Sequence, residues 1–94
     1  MLTVVKSDEV VVWLIGELDL AVAAELDEIA DQAPRVASWM TIDCSRVTCC
    51  DTTVLQFISR VSETMYVSVR RPSTIFTDIL ALSGLAHRVH VGSR

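Results

Sequence analysis

Hydrophobic residues in this chain alternate between two spacings, and each change of spacing marks a new element. Leu2 to Lys6 is a short β-rich run, Ser7-Asp8 reads as a turn, and Glu9 to Ile15 is an almost unbroken series of β-branched and aromatic residues. Two such runs joined by a tight turn predict a hairpin. Gly16-Glu17-Leu18-Asp19 closes the second strand. From Leu20 to Gln32 the spacing turns helical: Val22, Leu26, Ile29 and Ala33 share one face, while Glu25, Asp27, Glu28 and Asp31 turn to water. Asp19 stands where an N-cap is wanted, and Pro34 is expected to end the helix. Val36 to Asp43 contains the third strand, its buried part running from Trp39 to Asp43.

A short polar connection follows, and a second helix begins at Asp51-Thr52-Thr53 and runs to Met65. Val54, Phe57, Ile58, Val61 and Met65 form its apolar face. Tyr66 to Arg70 is a brief strand. Pro72 and Ser73 open a third helix, proline being tolerated in a first turn. Ile75, Phe76, Ile79, Leu80 and Leu82 make its apolar side, Gly84 sits where a left-handed C′ residue belongs, and Leu85 packs behind it. Arg88 to Val91 supplies the last strand. The order β-β-α-β-α-β-α-β predicts one α/β domain over residues 1–94. Its mostly parallel five-stranded sheet has one antiparallel edge strand and three crossover helices, with a C-terminal helix short or absent. Such a sheet wants cover on both faces, which three helices barely provide. An apolar patch left exposed near the last strand is expected to be a partner surface.

Candidate chemistry gathers at the start of the second helix. Asp and Thr oxygens accept bonds from the unpaired N–H groups of a first turn, and that helix end carries roughly half a unit of positive charge. A hydroxyl there, that of Thr52, can take a phosphate which the helix then helps to hold. Composition narrows the rest. A chain of 94 residues supports a single core. With a net charge of −4 and only 8 Lys and Arg, no basic face for nucleic acid or an anionic membrane can be assembled. No signal peptide or membrane span is legible, so a cytoplasmic protein is expected. Three cysteines, Cys44, Cys49 and Cys50, read as reduced thiols and small buried hydrophobes rather than metal ligands, because His87 and His90 lie far along the chain. Trp13 and Trp39 read as core or sheet-face residues. No glycine-rich phosphate loop, nucleophile–base pair or metal set is present, so no enzyme and no cofactor is expected, although the Thr52 helix start could hold a nucleotide weakly.

Four segments together resemble the STAS family, whose founding members are the bacterial anti-sigma-factor antagonists. Gly16-Glu17-Leu18-Asp19 is similar to the family's first signature. Asp43-Cys44-Ser45-Arg46-Val47 followed by Asp51-Thr52-Thr53-Val54-Leu55 is similar to its Asp-x-Ser-x-Val and Asp-Ser-Ser-Gly-Leu pair, and Leu82-Ser83-Gly84-Leu85 matches the third-helix ending. The resemblance implies a non-enzymatic switch in bacterial transcription regulation. Its unphosphorylated form binds an anti-sigma factor that is also a serine kinase. Phosphorylation at Thr52 releases that partner, and a phosphatase restores binding. Asp19, Asp51, Thr53 and Val54 would then make partner contacts. Val54 stands where the family carries glycine, and a β-branched side chain there is expected to obstruct a partner's approach. An alternative is a constitutive STAS subunit that binds the ATPase of a lipid-trafficking ABC transporter, since such short members also carry Thr after the Asp.

Overall fold

The computed structural model describes residues 1–50 and 52–92, with Cys49, Cys50 and Ala86 described by backbone alone. Strands β1 (Leu2–Lys6) and β2 (Glu9–Leu18) form the expected hairpin, in register from Leu2 opposite Trp13 to Lys6 opposite Glu9. The two-residue turn needs positive φ, and Ser7 supplies it at 46°. Strands β3 (Trp39–Cys50), β4 (Tyr66–Arg70) and β5 (His90–Gly92) follow in parallel, giving the spatial order β1-β2-β3-β4-β5. Helices α1 (Ala23–Gln32), α2 (Thr52–Ser62) and α3 (Thr74–Leu82) are the crossovers.

That order fixes where the core sits. Each β-α-β crossover is right-handed and steps one strand further in the same direction, so all three helices must land on one face of the sheet. The buried cluster agrees: Val10, Val12, Leu14, Met40, Ile42, Val67 and Val69 from alternate strand positions meet Leu26, Phe57, Ile58, Phe76 and Leu80 from the helices. The expectation of cover on both faces is therefore corrected. On the other face the rungs Leu2–Trp13–Asp43–Arg70 and Val4–Val11–Thr41–Ser68 carry no helix among the described residues. Only the middle of that face, at Val11, Thr41 and Asp43, is buried.

Element ends differ from expectation where local hydrogen bonding decides. The first helix opens as a tight turn, Leu20–Val22, capped by Asp19, whose Oδ1 accepts from the Ala21 N–H at 2.9 Å. The α-helix ends at Gln32, just before Pro34, as expected. Pro34 itself sits in a further tight turn, Ala33–Arg35, since proline fits a first turn with no N–H to lose. The second helix stops at Ser62 rather than Met65. The last strand starts at His90 rather than Arg88, because a tight turn at Leu85–His87 precedes it. Ser73 caps α3 by accepting from the Phe76 N–H, and Gly84 takes the left-handed φ of 81°.

The apolar side expected for α3 splits in two. Phe76 and Leu80, one turn apart, face the sheet and are buried. Ile75 and Leu82 lie on the neighbouring stripe and are 73% and 89% exposed. One narrow stripe is all that a helix at the edge of a single layer can bury. Truncation separates the two stripes: Leu80→Ala is expected to cost about 2–5 kcal/mol in urea unfolding. Leu82→Ala should change stability by less than about 0.5 kcal/mol.

Candidate functional site

The polar stretch after Asp43 is strand, not connection. β3 runs on to Cys50 because β2 extends through Leu18 and keeps pairing with it. The register slips twice on the way: Trp13 opposes Asp43 but Ile15 opposes Arg46, and Gly16 opposes Val47 but Glu17 opposes Cys49. Each slip places one extra residue in β3, which is a β-bulge.

A carboxylate clasp holds the first bulge. Asp43 Oδ1 accepts from the Ser45 N–H at 2.8 Å and from the Ser45 hydroxyl at 2.6 Å, while Oδ2 accepts from Arg70 Nε at 2.9 Å. The Asp-x-Ser spacing is thus a local turn inside a strand, with an arginine from β4 closing it. Burial alone would raise the pKa of Asp43. The Ser45 hydroxyl and amide, and then the Arg70 guanidinium, outweigh burial and hold the carboxyl below the ordinary carboxylate range.

The bulged strand delivers the chain to the start of α2. Leu18 opposes Cys50, so Asp19 leaves β2 directly beside the point where β3 gives way to α2. Thr52 is the first residue of α2 and is exposed. Thr53 is half-buried, whereas Val54 is 1% exposed and belongs to the core. Val54, expected as a partner contact and an obstruction, packs its side chain into the core and lines the inner wall of a cleft with Leu18, Thr48 and Ile75. Asp51 lies outside the described residues.

Two clefts lie near the start of α2. One is lined by Thr52 itself with Leu55, Gln56, Ser83 and Gly84. The other, of about 350 Å³, is lined by Leu18, Thr48, Ile75 and Ile79. Ile75 and Ile79 join the site through their exposed stripe. Their spacing was legible, but it does not say which stripe meets solvent. His87 and His90 are exposed, and among the described residues no three His, Cys, Asp or Glu converge. Cys44 is buried. Among the described residues no helix is long and apolar enough to cross a membrane.

The family model described as "Mlab, STAS domain" matches residues 1–91. The chain belongs to the STAS family. Solved structures similar to this STAS domain include SpoIIAA, an anti-sigma factor antagonist, in its unphosphorylated form: 15% identity, TM-score 0.75, 97% of this chain and 84% of that one. The phosphorylated form of the Bacillus SpoIIAA aligns at 18% identity with a TM-score of 0.66, over 97% and 88% of the two chains. A Thermotoga maritima protein described as a candidate anti-sigma factor antagonist aligns at 15% identity and TM-score 0.77, covering 98% of this chain and 85% of that one. At these identities the likeness establishes the fold. No curated protein matches in sequence.

The lowered Asp43 pKa has a sign in stability. A depressed folded pKa stabilises above the unfolded value, about 3.9, and that contribution disappears as pH falls through the folded value. The stability gap between wild type and Asp43→Asn, read by urea unfolding, should be constant between about pH 6 and 8 and shrink below about pH 4. A gap unchanged at acid pH would mean that the clasp does not depend on the charge.

Proposed function

We propose that this STAS domain is a protein-binding switch of the anti-sigma-factor-antagonist type, acting in the cytoplasm and controlled by phosphorylation at Thr52. One observation carries the reading: Thr52 is exposed on the first residue of α2, beside the strand end that leads to Asp19. The hydroxyl meets solvent at the positive end of a helix of 11 residues. A phosphate there would add about −1.5 to −2 charge next to the Asp19 loop and fill the cleft shared with Ser83 and Gly84. A partner fitted to the unmodified surface would meet both a steric and an electrostatic obstacle. The partner in this reading is an anti-sigma factor with serine-kinase activity, and a phosphatase resets the switch. The inward turn of Val54 supports it, because that side chain adds nothing to the exposed surface around Thr52. Asp19, Asp51 and Thr53 complete the contact region.

Thr52 where antagonists carry Ser, together with the match to the Mlab type of STAS domain, favours a second reading. In it the domain is a constitutive subunit that binds the ATPase of a lipid-trafficking ABC transporter, and Thr52 is a contact rather than a phosphate acceptor. Partner capture from native cells separates the two. The switch reading expects a kinase-type regulator. With that kinase and ATP, intact mass should rise by one phosphate in wild type and stay unchanged in Thr52→Ala. Thr52→Glu should weaken capture by roughly tenfold or more. Recovery of a transporter ATPase with no mass change would decide for the second reading.

A further inference from the structure

The two edges of the sheet are built very differently. β5 is three residues long and ends in Gly92, a form of edge that offers little for another chain to pair with. β1 has five residues, Leu-Thr-Val-Val-Lys, without proline or bulge, and every one is exposed. Among the described residues no strand pairs with its outer side. An edge of this kind presents a free row of main-chain N–H and C=O groups.

The space beside that edge is shaped as well. Between β1 and α1 lies a groove of about 430 Å³, with Val5, Val10, Ile29, Ala33 and Val36 among its lining residues and Glu25 and Glu28 from α1 on its wall. Val5 and Val36 are each 56% exposed. Glu25 and Glu28 enter no ion pair among the described residues, and Glu28 meets only Gln32, whose Nε2 donates at 3.4 Å. Open main chain, apolar floor and acidic wall therefore share one groove between an edge strand and a helix. That arrangement suits recognition by strand addition, in which main-chain bonds give affinity and alternate side chains enter pockets.

We infer that the β1–α1 groove binds an extended segment of another protein, added as a sixth strand against β1. Its groove-facing side chains are apolar in the middle and basic at the ends. The charge argues for this occupant over a second copy of the chain. Two-fold pairing of β1 with itself would bring the acidic walls of two α1 helices toward each other, whereas a basic segment neutralises Glu25 and Glu28. The groove lies across the sheet from the C-terminal strand ends that lead to Thr52, so both sites can be filled at once.

A blocked heptapeptide Lys-Thr-Leu-Thr-Leu-Thr-Lys, its Glu-ended counterpart and isotope-labelled full chain test the inference by NMR titration. The Lys-ended peptide should shift the amides of Leu2 to Lys6, Ile29 and Val36, and should bind at least about tenfold tighter than the Glu-ended one. Glu25→Lys with Glu28→Lys, both at exposed positions of α1, should reverse that preference. Equal binding of the two peptides, shifts centred elsewhere, or no shifts at ~1 mM peptide would overturn it. Sedimentation showing a dimer that Val5→Lys dissolves would assign the edge to a second copy instead.

Discussion

One-sided cover of the sheet is the constraint from which the rest follows. Strands that succeed one another in space, joined by crossovers of a single hand, leave the helices no choice of face. The helix side holds the whole apolar cluster, and the opposite side must survive in contact with water. It does so by mixing: Arg70 from β4 pairs with Asp43, and Thr41 donates to Glu9 from β2, so polar groups at mid-sheet are satisfied by their strand neighbours rather than by solvent. Among the described residues no buried side-chain polar atom is without a partner. A sheet covered on both sides would have put Val, Ile and Leu at these positions.

The same constraint bears on the surface at the strand ends. One cleft of about 350 Å³ lies where strands hand over to helices, lined by Leu18, Thr48 and Ser73 among others. There the double bulge of β3 lengthens the strand by two residues and carries the chain out to Thr52 beside Asp19. Without the extra residues, Leu18 and Cys50 would not lie opposite one another, and the two signature segments would end at different heights. The bulges are how separate stretches of sequence become one surface.

Much of this was legible in the residues themselves. The β1 and β4 boundaries, the helical faces of α1 and α2, and the caps at Asp19, Ser73 and Gly84 follow from spacing and local hydrogen-bonding chemistry. What escaped was decided between elements. Cys44 to Cys50 read as a connection because its polar residues break the apolar pattern of a strand. Only its pairing with β2, and the reach of Arg70 to Asp43, make it one. Ile75 and Leu82 read as core because they are apolar and stand within two residues of Phe76 and Leu80. Which of two adjacent stripes is buried depends on the tilt of a helix over a sheet, and composition is silent on that. Val54 shows the reverse case: a position that reads as surface within a motif is turned inward by the helix and joins the core.

The hairpin edge stands apart from the cooperative centre. None of Leu2 to Lys6 belongs to the buried cluster, so the first strand is held almost wholly by its ladder to β2. Detaching it would cost few packed contacts and would leave β2 to β5 and their helices intact. The domain thus has a graded architecture, most heavily packed around β3 with its first strand outside the core, and local opening of that strand should precede global unfolding. Anything that clasped this margin would tighten the molecule outside its core while leaving the centre as it was.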